Sequence, residues 1–238
     1  MKSVAPTFPV TGIAFLRALK KNNDREWFTP RKEEFEEKVR QPMIAVVEAV
    51  HKEMLKFAPA YVGEPAKTIF RIYRDTRFSK DKTPYKTHIG SYMWRNDLDK
   101  NTGGGFYFAV SPEETVIAAG IYHPMPDQLR LVRQHVAQHH VEFRRTFSGK
   151  KVRDLFGELR GNPLSRPPKG FDPEHPAIDL IRCRQFVLHP ELPKTLATSP
   201  DFVNEVVTRL KAATPFLEFL NRPLKRAAKT NPAPLSVG

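Results

Sequence analysis

Between Lys67 and Lys86 the sequence places seven basic side chains, Lys67, Arg71, Arg74, Arg77, Lys80, Lys82 and Lys86, against two acidic ones, Asp75 and Asp81. Like charges at this density repel, so a folded protein tolerates them where solvent screens them or where an anion sits among them. Arg71, Arg74 and Arg77 recur at every third position. If the chain turns there, their planar guanidiniums converge on one oxyanion, each offering paired donors that match phosphate or carboxylate. Lys80, Lys82 and Lys86 add point charge. The interleaved Tyr73, Phe78 and Tyr85 supply faces for a base or sugar, and Tyr85 also brings a hydroxyl for a bound oxyanion. His88 is the nearest group that titrates around neutral pH, so it is the candidate general acid or base, with Asp75 and Asp81 as carboxylates able to move a proton. The competing reading is structural. In it Asp75 and Asp81 pair with the arginines and fix the loop, Tyr85 packs on a sheet, and His88 is a satisfied structural histidine.

A second candidate segment is NNDREW, Asn22 to Trp27. Arg25 and Glu26 beside Trp27 would frame the opposite wall of the same pocket, with Asn22 and Asn23 as amide donors; the alternative is a helix C-cap followed by a hydrophobic staple. Spacing alone does not show whether this segment touches the arginine loop. Gly103-Gly104-Gly105 lacks the Gly-Lys-Ser/Thr of a Walker loop, and a strand follows it rather than a helix. Gly104 is therefore either the point where a ligand approaches the backbone or part of a sharp bend.

His135, His139 and His140 share one predicted helix, but there is no HExxH pattern, and the single cysteine, Cys183, reads as a small buried hydrophobe. No metal and no cofactor is expected. There is also no Gly-x-Ser-x-Gly elbow.

A formal charge of +13 favours partners that carry phosphate or carboxylate, or a nucleic-acid backbone. The N-terminal MKSVAPTFPVTGIAFL lacks the unbroken apolar run of a secretory signal, and no stretch approaches the roughly 20 apolar residues of a membrane span. With one cysteine and no internal disulfide, a soluble cytoplasmic protein is expected.

The elements that must position these residues follow from period and punctuation. Thr11 caps a helix carrying Ile13, Leu16 and Leu19 and ending at Asn22-Asn23. Thr29-Pro30 starts a long helix to about Phe57, with Phe35, Val39, Val46, Val50 and Met54 as its stripe and a kink at Pro42. KTIFRIY, HIGSYMWR, GFYFAV and TVIAAGIY read as four strands with short links, which favours antiparallel pairing. A helix capped by Asp127 follows. AIDLIR reads as a short helix and RQFVLH as a short strand, and two more helices begin at Ser199-Pro200 and Thr214-Pro215. The expected fold is α+β: an antiparallel sheet of about four strands packed against long helices in a single domain, residues 1–225, with 226–238 a flexible tail.

The pairing of NNDREWF with RIYRDTRFSKDKTPYKTHIG and a glycine triplet resembles a bacterial and fungal family of about this length that has no assigned function. Its RxxRDxRF motif is carried here by Arg71, Arg74, Asp75, Arg77 and Phe78, followed by Asp81, Lys82 and Tyr85. The PPKGF segment at Pro167 to Phe171 and IDLIR at Ile178 to Arg182 match in the same order. The resemblance implies no activity. From the residues themselves, the expected function is binding of a phosphorylated or other anionic small molecule such as a nucleotide, with hydrolysis or transfer if the protein is an enzyme. Two alternatives stand beside it: a nucleic-acid-binding module on the same basic aromatic surface, and a non-catalytic interaction protein built on an ion-pair network.

Overall fold

The computed structural model describes residues 5–230 and shows an α+β domain whose four-stranded antiparallel sheet has the order β1-β2-β3-β4. The chain forms two compact units. The first takes the chain through Met93 together with Tyr107–Ile117 and Glu191–Thr208; the second takes Trp94–Phe106, Ala118–Pro190 and the chain from Arg209.

In the first unit, α1 spans Val10–Lys21 and buries Gly12, Phe15, Leu16 and Leu19, an i, i+3, i+4, i+7 stripe. It begins after Pro9 and not at Thr11, with no side-chain cap, and it stops at Asn22, whose backbone N–H reaches the Ala18 and Leu19 carbonyls. Asp24 then caps a new helix: its carboxylate accepts the Trp27 N–H at 2.7 Å and opens α2, Arg25–Phe28. The helical path therefore starts ahead of the expected Thr29-Pro30. A 3₁₀ turn at Thr29–Arg31 leads to α3, Lys32–Phe35, a π segment at Glu36–Arg40, and α4, Gln41–Met54.

Pro42 explains the π segment. A proline cannot donate to the carbonyl four residues back, and the ladder widens ahead of it, the Gln41 N–H bonding the Glu36 carbonyl. Gly12 accommodates this segment, because a Cβ there would lie 2.4 Å from the Lys38 carbonyl oxygen.

KTIFRIY does not form a regular strand. Its start is one helical turn, α5 at Pro65–Thr68, and the rest makes only two isolated bridges, Ile69 with Ser91 and Tyr73 with Tyr85. Between those bridges residues 70–72 face residues 86–90, three against five, so no continuous ladder can close. The sheet strands are β1 Ile89–Trp94, β2 Gly105–Val110, β3 Thr115–Ile121 and β4 Phe186–Leu188. The fourth member is thus the short RQFVLH strand. It runs antiparallel to β3, with Ala119 opposite Leu188 and Ile121 opposite Phe186.

In the second unit α6, Pro126–Gln138, starts at Met125 and not at an Asp127 cap; the Met125 N–H donates to the Gln128 side chain at 3.2 Å. Then come α7 His140–Ser148, α8 Lys150–Phe156 and α9 Ile178–Ile181. The two expected C-terminal helices are one, α10 at Phe202–Thr230, with Pro215 and Pro223 inside it. A helix-interior proline costs about 3 kcal/mol. Here Leu210, Ala213, Phe216, Leu217, Leu220 and Leu224 form one buried stripe through both prolines, and Phe216 and Phe219 stack on Phe143 at 5.6 and 4.8 Å. Burial on that scale outweighs the lost backbone bonds. Of the expected tail, residues 226–230 continue α10, and 231–238 lie outside the described residues. Among the described residues no helix is long and apolar enough to cross a membrane.

Candidate anion-binding site

The arginine loop is held at its base by the Tyr73–Tyr85 bridge. Around it the Arg74 N–H donates to the Pro84 carbonyl at 2.9 Å and the Lys86 N–H to the Ile72 carbonyl at 2.8 Å. Against this base lies the NNDREW turn. Asn23 donates its Nδ2 to the Tyr85 carbonyl at 2.9 Å and accepts the Tyr85 N–H at its Oδ1 at 3.0 Å. The two segments identified from sequence therefore meet, and beside their junction is an open cleft of about 560 Å³ lined by Asn23, Asp24, Arg25, Glu26, Lys82, Thr83 and Pro84.

The core beneath explains why the segments meet. Phe15, Phe28 and Phe35 pack together with ring centroids 5.6 to 6.5 Å apart, and Phe28 lies 4.2 Å from Tyr85. Tyr85 is 4% exposed, so its ring is a core contact rather than a platform for ligand. Burial pushes its phenol pKa up. Trp27 likewise packs on Phe15 at 5.6 Å, with the Arg31 guanidinium 4.6 Å from its ring, and is not part of the cleft lining. Asn22 closes α1 by donating to the Ala18 carbonyl.

Two of the three loop arginines are matched within the loop. Arg77 bonds Asp75 at both ends of the carboxylate, Nε at 3.0 Å and Nη2 at 2.8 Å. Arg74 reaches Asp81 at 2.5 Å and also the Thr83 hydroxyl and carbonyl. Asp81 in turn accepts the Thr83 N–H at 2.9 Å and hydroxyl at 2.8 Å. These bonds hold both carboxylates far below their usual range. Asp75 falls to about 2, chiefly through the Arg77 side chain, and Asp81 to about 2, chiefly through the Thr83 backbone N–H and then Arg74. Paired in this way, each carboxylate orients a guanidinium and is a weaker base than an unpaired aspartate.

The lysines differ from one another. Lys82 donates to the Thr76 carbonyl at 2.9 Å and Lys86 to the Arg71 carbonyl at 2.8 Å. Arg25, Arg71 and Lys80 are exposed and have no side-chain bond or ion pair among the described residues. His88 is half-buried in the five-residue segment opposite residues 70–72; burial, then the Lys86 charge, pushes its pKa down, opposed by Glu114. It does not line the cleft.

Gly104 belongs to the second unit. Its N–H donates to Asn221 Oδ1 at 2.7 Å and its carbonyl accepts from Asn221 Nδ2 at 3.0 Å, so its peptide is occupied by a buried side chain of α10. The close approach inferred for this glycine is to protein: a Cβ would lie 2.8 Å from Leu217 Cδ2. The His135 and His139 rings lie 4.7 Å apart with their planes tilted by 57°, but among the described residues no group of three or more His, Cys, Asp or Glu could hold a metal ion.

The sequence reading missed Asp24, Thr83 and Pro84 as parts of the cleft. Asp24 carries the usable signal, since an Asp three residues before a helical N–H is a standard N-cap spacing.

No curated protein and no solved structure matches the chain. A family model described as "Conserved hypothetical protein (DUF2461)" matches residues 11–219, and the chain belongs to that family.

Proposed function

We propose that this protein binds a small phosphorylated or otherwise anionic molecule in the cleft between the Asn23–Glu26 turn and the Lys82–Pro84 arm, with Arg25 and Lys82 as its cationic contacts. One observation carries the reading: Arg74 and Arg77 each have a carboxylate of their own, whereas Arg25 stands unpaired at a cleft of about 560 Å³. That volume lies within the range of small-ligand sites, about 300–1,000 Å³. The walls are fixed before any ligand arrives, the Asn23–Tyr85 bonds holding one side and the Arg74–Asp81–Thr83 cluster the other, so little ordering entropy is lost on binding. Asp24 and Glu26 on the same wall favour a ligand that carries hydroxyl or amino donors beside its anionic group, as sugar phosphates and nucleotides do.

The test is calorimetry and thermal shift of the whole chain against inorganic phosphate, sugar phosphates, nucleotides and dicarboxylates, with product formation followed in the same samples. One ligand class should stabilise the protein, and Arg25→Gln should weaken its binding about tenfold or more, the scale of a lost charge-assisted contact. A panel in which nothing binds, or a ligand held equally well by the Arg25→Gln and Lys82→Gln proteins, removes the proposal.

A further inference from the structure

We propose that the crest of the arginine loop is a binding surface for single-stranded nucleic acid, with Phe78 as its stacking platform. This surface shares Lys82 with the rim of the cleft but is centred on Phe78, which does not line it, and it does not depend on Arg25.

Phe70, Tyr73 and Phe78 are exposed and fall within residues 70–78. Phe78 is 94% exposed, so its ring contributes nothing to the core. It is nevertheless not unsupported. The Arg77 guanidinium lies 5.7 Å from the ring centroid, and Asp75 fixes that guanidinium through both of its carboxylate oxygens. One side of the ring is thus backed by an oriented cation, and the rest is presented to solvent.

The charge around this crest matches a phosphodiester strand. With Arg74 and Arg77 neutralised by Asp81 and Asp75, the cations left without a carboxylate among the described residues are Arg71, Lys80 and Lys82. All three are exposed. Cations spaced along a loop follow a backbone, and aromatic faces take up bases that are free to leave a stack, the combination used by sequence-tolerant single-strand binders. A duplex keeps its bases stacked and would leave Phe78 unused. An acidic peptide would engage the cations but has no need of open aromatic faces.

The experiment is fluorescence anisotropy of the whole chain with a labelled oligothymidylate of about 16 nucleotides, the upper site size for one small single-strand-binding fold. A duplex of equal length, heparin and anionic vesicles are compared in parallel. The single strand should bind more tightly than the duplex, and affinity should fall with added salt. Phe78→Ser should weaken it about fivefold or more, the lower scale of one lost stacking contact. Phe78→Trp should retain it, and Arg25→Gln, a change in the cleft alone, should leave it unaltered. Because the ring is outside the core, thermal melts of the Phe78 proteins should match the parent. Equal affinity for heparin or duplex, preference for vesicles, an unchanged Phe78→Ser protein, or no binding at all would each overturn the proposal.

Discussion

The side chain of Asn23 holds the backbone of Tyr85 from both sides, donating to its carbonyl at 2.9 Å and accepting its N–H at 3.0 Å across 62 positions of sequence. It pairs with that peptide much as a neighbouring strand would, while Tyr85 is bridged on its other side to Tyr73. Asn23→Ala should lower unfolding free energy by about 1–3 kcal/mol, the sum of two net hydrogen bonds. Asn23→Asp should lose a similar amount, because a carboxylate cannot donate to the Tyr85 carbonyl. Urea denaturation of the two variants checks this, and an Asn23→Asp protein as stable as the parent would show that the donated bond contributes nothing.

The loop carboxylates should titrate unusually low. Asp75 and Asp81 are each depressed from 3.8 to about 2 in the folded protein, so the stability they contribute is complete above about pH 4 and is lost as pH falls toward 2. Carbon-detected NMR titration of the two side chains should place both midpoints well below those of exposed aspartates. Thr83→Val, which removes a hydroxyl donor from Asp81, should raise that midpoint while leaving Asp75 where it was.

A second pH effect has the opposite chemistry. His51 is 4% exposed in the first unit, and burial pushes its pKa below 6.5, opposed by the Gly63 carbonyl; His88 is also depressed, first by burial. A histidine whose folded pKa is lowered binds its proton preferentially in the unfolded chain. Its penalty is absent above 6.5 and grows as pH falls below it. Urea midpoints should therefore decline from about pH 7 to about pH 5, the window set by the unperturbed imidazole. His51→Leu should flatten that decline, and an unchanged slope would show that His51 does not govern it.

In the second unit Asn221 is fully buried and satisfies both polar groups of the Gly104 peptide. Asn221→Ala leaves a donor and an acceptor without partners, and the cost should be about 2–6 kcal/mol, since each orphaned buried group costs about 1–3. Gly104→Ala should also destabilise strongly, because the added methyl would meet Leu217 at 2.8 Å and the Gly120 carbonyl oxygen at 3.0 Å. Thermal denaturation of both proteins is the measurement, and a shift no larger than that of a surface substitution would contradict the assignment.

Much of the fold was legible because it rests on local pattern. The stripe at Phe15, Leu16 and Leu19, the short links between β1, β2 and β3, and the β-branched and aromatic runs all act over a few residues. The errors fall where distant contacts overrule a local rule. Thr214-Pro215 reads as a break, yet the buried stripe from Leu210 to Leu224 carries α10 through it. KTIFRIY reads as a strand, yet its partner segment has two residues too many to pair with it throughout.

The candidate site divides along the same line. Which residues carry charge, and that seven cations crowd into one stretch, is a property of composition and order and needs no fold. Which of those cations remain free was settled only in three dimensions: Asp75 and Asp81 reach back to neutralise Arg77 and Arg74, while the clasp of Asn23 on Tyr85 brings Arg25 to a cleft beside Lys82. Charge adds along a chain, but pairing depends on distance, and distance between residues far apart in sequence is set by the packed core beneath them.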